Sequence, residues 1–363
     1  MMLATGEILV DQASNTVLSF IDSGPPAELY ETIILVHGNS FSNAIFQRLV
    51  SRSKEYNIRI VALNRRGYAG STPYNLYERS IFSDEQAHTD EEKHQFLERR
   101  GVEILRFIDE FIQQFLPPPI ISDSEGKQSG GVALLGWSLG IAFTVPAIAN
   151  VDSVLISNET RKRLSTHLRA HILLEPAVIT IGLNLPDDFW TPTRDPLIPA
   201  SAGTSLFIHL ITCYYEYDKE TTSACDQAGV LSTVAPSPSR VPTLFTFTHE
   251  ERKEIVTPLP QDMHFSHVLQ EPLRKWYLKS CFDEKLRSSL ALKNMTVWHV
   301  LGDSSYPFIW PAYWLVQEDD RKACEGESGK FVKFKVMEGC NHFMHWDEPD
   351  KTMAAFKEIL NSR

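Results

Sequence analysis

Gly136-Trp137-Ser138-Leu139-Gly140 sets one hydroxyl between two glycines, directly after the apolar run Val132–Leu135 and before the apolar run Ile141–Ala149. A strand running into G-x-S-x-G and then a helix is the setting of a nucleophile elbow. The turn is tight, and side chains at 136 and 140 would collide with the neighbouring strand and helix. It lifts the serine oxygen clear of the sheet and sets it at a helix N-terminus, where developing negative charge is favoured. A serine hydroxyl is a weak nucleophile until a neutral imidazole accepts its proton. The chemistry to look for is therefore a base, a group that orients the base, and donors for an oxyanion.

Those groups need rigid elements to hold them. Strand candidates are Glu7–Val10, Thr16–Ile21, Thr32–Val36, Arg59–Leu63, Val132–Leu135, His171–Leu174, Val297–Leu301 and Phe331–Met337. Several lack polar alternation, as strands covered on both faces do. Between Leu63 and Val132, Leu105, Ile108, Ile112 and Phe115 fall at helical spacing, and Pro117-Pro118-Pro119 ends that helix. Strands alternating with helices predict an α/β fold with a mostly parallel central sheet flanked by helices. From about Pro176 to Asn294 the alternation stops. This stretch is rich in Pro, Thr, Ser and aromatics, with irregular helical pieces near Thr204–Tyr217 and His267–Leu278. It reads as an insertion on the core.

Four further segments carry recognisable spacing. Ile33–Val36 runs into His37-Gly38-Asn39-Ser40, and Leu63 into Asn64-Arg65-Arg66-Gly67-Tyr68-Ala69-Gly70-Ser71. Val297–Leu301 ends in Gly302-Asp303, and Met337-Glu-Gly-Cys-Asn-His342-Phe-Met-His345 precedes Pro349. Together with the elbow, these segments resemble the α/β-hydrolase superfamily in its serine-nucleophile, lid-bearing form. The likeness covers roughly residues 8–175 and 295–363. It implies an α/β-hydrolase core of 1–175 and 295–363, with a lid or cap over 176–294. Asn64 and Ala69 depart from the family's D-x-R-G-x-G-x-S turn, a region that supports the fold.

The resemblance implies a triad of Ser138, Asp303 and His342, in the superfamily's order, with the backbone N–H groups of Asn39 and Leu139 as oxyanion donors. His342 would accept the serine proton and then protonate the leaving group, while Asp303 fixes the imidazole tautomer. Glu175, at the end of His171–Leu174, is the alternative acid, because some relatives carry it one strand earlier. His345 is the rival base, and the spacing to Pro349 favours His342. His37, Trp137, Phe189, Trp190, Tyr214, Tyr215 and His345 are candidate pocket residues, the insertion's aromatics giving the pocket an apolar lining. His299 is read as a core histidine.

Composition narrows the partners. The 363 residues carry 35 Lys and Arg against 46 Asp and Glu, a formal charge of −11, the wrong sign for a nucleic-acid backbone or an anionic membrane surface. No apolar run is long enough to span a bilayer, and the opening residues lack the pattern of a secretory leader. Five scattered cysteines without C-x-x-C spacing fit reduced thiols, and the expected location is cytoplasmic. No cofactor is implied, and His264 and His267 alone make a poor metal site. A small-molecule substrate is expected, with oligomeric state left open.

The leading functional expectation is a serine hydrolase of an ester, lactone or thioester of a mostly apolar small molecule. Two alternatives stay open on the same triad. One is carbon–carbon bond hydrolysis, acyl transfer or cyclisation in secondary metabolism. The other is a non-catalytic ligand-binding receptor. Haloalkane dehalogenases and epoxide hydrolases share parts of this pattern but use a carboxylate nucleophile, where this chain has Ser138.

Overall fold

The computed structural model describes residues 4–83, 88–186, 189–259, 262, 265, 268–325 and 330–362. Strands β1 (Ala4–Asp11), β2 (Thr16–Asp22), β3 (Glu31–Val36) and β4 (Ile58–Leu63) come first. A short hairpin, β5 (Ile121–Ser122) and β6 (Gln128–Ser129), precedes β7 (Val132–Trp137), β8 (Leu168–Leu174), β9 (Thr296–Gly302) and β10 (Val332–Met337). Among the described residues, eight of these strands form one sheet in the order β1-β2-β4-β3-β7-β8-β9-β10. Pairing is antiparallel at β1/β2 and β2/β4 and parallel everywhere else.

The burial of each strand explains its sequence. Every residue of β3, β4, β7 and β8 is buried, so helices cover both faces and the strands read as unbroken apolar runs. The edge strand β10 is half-exposed and carries Lys333 and Lys335, charges that discourage edge-to-edge pairing.

Helices α1 (Gln47–Tyr56), α2 (Leu76–Ser83), α3 (Asp90–Phe115), α4 (Ile141–Ala149), α5 (Asn158–His167) and α6 (Ala200–Ile211) follow the strands in turn. Helix α3 starts at a reciprocal cap, in which Thr89 accepts from the Glu92 amide and Glu92 accepts from the Thr89 amide. It buries Leu105, Ile108 and Ile112 and stops at Leu116, left-handed at φ 45°, before the prolines. Helix α4 is buried on every side, which accounts for its uniformly apolar sequence.

Strand β8 lies beside β9 in parallel register, Leu174 opposite Val300. The chain therefore leaves the sheet at the C-terminal end of β8 and returns one strand over. Residues between them emerge at the edge where β7 delivers Ser138, the edge at which open parallel sheets hold ligands. Among the described residues this stretch contains no strand, only helices and an isolated bridge from Val256 to Phe41. Its last long helix, Gln270–Phe282, belongs to the helical layer of the core. Trp276 stacks on His94 of α3 at 4.0 Å, and the Tyr277 hydroxyl donates to Asp319 at 3.1 Å.

Candidate active site

Ser138 is the first residue past β7 and is held at φ 53°, left-handed backbone that costs a non-glycine residue energy. Its surroundings over-determine that turn. A Cβ at Gly136 would sit 2.5 Å from Thr144 Oγ1 and 2.8 Å from Ile141 Cα, and one at Gly140 would land on the Val36 carbonyl oxygen. Only glycine lets β3, β7 and α4 close to this distance. Trp137, Leu139 and Gly140 are buried, whereas Ser138 keeps partial exposure.

His342 lies in the turn between β10 and the short helix Met344–Asp347 and is buried. Its Nδ1 is 2.9 Å from Glu175 Oε2. Its own carbonyl accepts from Trp137 Nε1 at 3.0 Å, so the residue before the serine ties down the histidine loop. Glu175 is fully buried at φ 58°, one residue beyond β8. Its amide donates to the Val300 carbonyl at 2.9 Å, and its other oxygen, Oε1, accepts from the Gly302 amide. The carboxylate thus reaches across the end of β9 with both oxygens engaged.

Asp303 is directed elsewhere. Its Oδ1 accepts from the Gly339 amide at 2.7 Å and from Ser304 Oγ at 3.2 Å, bracing the turn after β10. The structure brings Glu175 to His342, against the sequence preference for Asp303. The reason is reach: the left-handed turn after β8 aims a long glutamate side chain over β9, whereas the shorter Asp303 is captured by the nearest free amide.

Ser138, Asn39 and Leu139 line one cavity with Ala177, Ile179, Leu185, Phe207, Phe308 and the polar Thr180, Thr191, Thr193, Arg194 and Asp262. It encloses about 560 Å³ of atom-free space, part of it open to solvent. The residues expected in the pocket stand behind or beside it. His37 is fully buried behind the loop that carries Asn39, its Nε2 accepting from the Arg65 amide at 3.0 Å. Burial and Arg65 hold that imidazole well below its usual range, so it stays neutral. Trp137 is buried under the histidine loop, and Phe189 packs one layer back against Tyr306 and Phe308. Trp190 is exposed and donates to Asp195. The Tyr214 hydroxyl donates to Asp347 at 2.7 Å, and that of Tyr215 to the Leu210 carbonyl at 3.1 Å. His345 packs 4.5 Å from Trp137 and 4.9 Å from Phe46, with no hydrogen-bond partner for either ring nitrogen among the described residues. Burial lowers its pKa well below the usual value.

Lining residues absent from the sequence reading, such as Leu185, Phe207 and Asp262, belong to the stretch without periodicity. Phe308 follows β9 at the same sheet edge, and that position was its available signal. His264 and His267 lie outside the described residues. Among those residues, no three His, Cys, Asp or Glu side chains gather as metal ligands, and no helix is long and apolar enough to cross a membrane.

No curated protein sequence matches this chain. Solved structures share its fold at low identity. A mutant of epoxide hydrolase from Solanum tuberosum is 12% identical, with a TM-score of 0.52 and 99% of each chain covered. A bromoperoxidase from Bacillus anthracis is 14% identical, with a TM-score of 0.46, 99% of this chain and 100% of the other being covered. The thioesterase domain from the curacin biosynthetic pathway is 13% identical over all of both chains, with a TM-score of 0.47. The sequence model of the alpha/beta hydrolase family matches residues 33–355, nearly the whole chain. By that match and by the sheet that carries Ser138, the protein belongs to the alpha/beta hydrolase family.

Proposed function

We propose that the protein is a serine hydrolase in which Ser138 is the nucleophile, His342 the base and Glu175 the acid that orients it. The observation that carries this reading is the buried Glu175–His342 hydrogen bond at 2.9 Å, on a loop tied to the residue before Ser138, which stands on a left-handed elbow. An Nδ1–H donated to Glu175 leaves Nε2 as the lone-pair nitrogen, the tautomer that can take the serine proton. The Ser138 oxygen attacks the substrate carbonyl, and the N–H groups of Asn39 and Leu139 receive the developing oxyanion. His342 returns its proton to the leaving group, and water repeats the sequence on the acyl-enzyme.

The apolar lining of Ala177, Ile179, Leu185, Phe207 and Phe308 favours an ester, lactone or thioester with a mostly apolar body. The core comprises residues 1–175 and 295–363, and the insertion over 176–294 acts as the cap. The cap function falls on its first part, since Gln270–Phe282 packs into the core layer.

The test compares wild type with Ser138→Ala on p-nitrophenyl esters of increasing chain length and with a fluorophosphonate probe. Turnover is expected to fall by about six orders of magnitude, and labelling to vanish. Turnover that survives Ser138→Ala overturns the assignment. Labelled wild type without ester turnover would favour transfer, cyclisation or carbon–carbon cleavage on the same serine.

A further inference from the structure

Arg65 and Asp262 form an ion pair with side chains only 1% and 2% exposed, and Asp262 lines the cavity that holds Ser138. The guanidinium donates to Asp262 Oδ1 at 3.3 Å and Oδ2 at 2.5 Å, and the Tyr68 hydroxyl donates to Oδ2 at 2.7 Å. The rest of the guanidinium faces the loop after β3. Its Nε donates to the His37 carbonyl at 3.1 Å and one terminal nitrogen to the Gly38 carbonyl at 3.0 Å. His37 Nδ1 lies 3.0 Å from the same Gly38 oxygen. Phe143 of α4 lies under the guanidinium, 4.7 Å from its carbon.

The Gly38 carbonyl and the Asn39 N–H are the two ends of one planar trans peptide and point in opposite directions. Whatever fixes the first therefore aims the second. A cation held on the carbonyl oxygen also polarises the amide and strengthens its N–H as a donor. We infer that Arg65, held by Asp262 from the insertion, is a positioning residue that aims the Asn39 amide at the oxyanion of the reaction at Ser138. The inference rests on the serine-hydrolase reading above and assigns neither Arg65 nor Asp262 a contact with the reacting atoms. The insertion also clamps the same loop next door: the Ser42 amide donates to the Ile255 carbonyl and the Thr257 amide to the Ser40 carbonyl, both at 2.8 Å. Arg65 stands before Arg66, whose guanidinium serves a separate cluster with Glu78 and Glu103.

The decisive readout is the ratio of affinities for two ketones of equal chain length. An alkyl trifluoromethyl ketone adds the serine oxygen and becomes a tetrahedral oxyanion, with the serine proton passing to the histidine. The matching methyl ketone binds without adding. Arg65→Lys and Asp262→Asn are expected to weaken the first at least about tenfold more than the second, and to lower kcat on p-nitrophenyl butyrate by a similar factor. Tyr68→Phe, which removes the hydroxyl's hold on Asp262 together with its contacts to Arg65, at 3.4 Å, and to the Ser40 backbone, is expected to show the same change in smaller measure. For Arg65→Lys, KM should stay within about twofold and the pH profile of kcat/KM should keep its midpoint, because the base is untouched. Should burial of an unpaired partner prevent Arg65→Lys or Asp262→Asn from folding, Tyr68→Phe carries the same ratio test. An unchanged ketone ratio in folded, fluorophosphonate-labelled variants overturns this inference alone. A wild type that takes no fluorophosphonate at Ser138 overturns the serine-hydrolase reading and this inference with it.

Discussion

Two carboxylates stand near the histidine loop, and each makes a different set of hydrogen bonds. Glu175 meets His342 Nδ1 at 2.9 Å, while Asp303 serves the Gly339 amide at 2.7 Å. Glu175→Gln is expected to lower kcat by about four orders of magnitude, because an amide NH₂ facing Nδ1 selects the wrong tautomer. Asp303→Asn is expected to leave kcat within about tenfold and to cost about 1 kcal/mol of stability. Steady-state kinetics on one p-nitrophenyl ester, beside a urea titration, separates the two, and a reversed result returns the acid to Asp303. At this scale the nucleophile was legible because spacing alone encodes it: two glycines, one serine, a strand before and a helix after. The acid was not. Both candidates sit one residue past a strand, and what separates them is a φ of 58° at Glu175 and the extra methylene that spans β9.

The elements were legible wherever their covering was symmetrical. β3, β4, β7 and β8 are buried on both faces and show as apolar runs, and α3 carries its cap, its apolar stripe and its proline stop in the sequence. How the insertion seats on the core was not legible, because polar latches, which leave no periodicity, fix its place. Thr243 Oγ1 donates to Asp347 at 2.5 Å and accepts from Asn341 Nδ2 at 2.9 Å, and Trp346 Nε1 donates to Thr246 at 2.9 Å. These residues flank His342, so one stretch of the insertion is bolted to the loop bearing the base. Thr243→Val keeps the shape and deletes both hydrogen bonds. It is expected to cost about 2–3 kcal/mol, since Asp347 and Asn341 lose a buried partner, and to expose residues 212–246 to limited proteolysis while the core resists. Cleavage spread evenly along the chain would show that the latch is not local.

For the whole molecule, the core buries imidazoles that resist protonation in place. Burial pushes His171 and His299 down to about 3, and holds His37 and His345 well below the usual 6.5. In the unfolded chain each titrates near its ordinary value. Between about pH 6.5 and 3 the unfolded state therefore binds more protons, and the native state loses stability as pH falls. Each such histidine contributes about 1.4 kcal/mol per pH unit to that slope. Asp347, whose carboxyl burial raises, works in the opposite sense across the carboxylate range, yet the four histidines act together and begin higher. Urea midpoints are expected to hold steady above pH 7 and to drop steeply below about 6.5. His299 can be removed from the sum with little disturbance, since its ring packs against Tyr313 and Phe334, at 5.0 and 6.1 Å, and neither nitrogen has a hydrogen-bond partner among the described residues. His299→Phe should shallow the slope below pH 6.5 by about one proton while leaving the midpoint at pH 8 no lower than wild type. A variant with the wild-type slope would mean that His299 is protonated in the native state, and that the acid sensitivity arises elsewhere in the core.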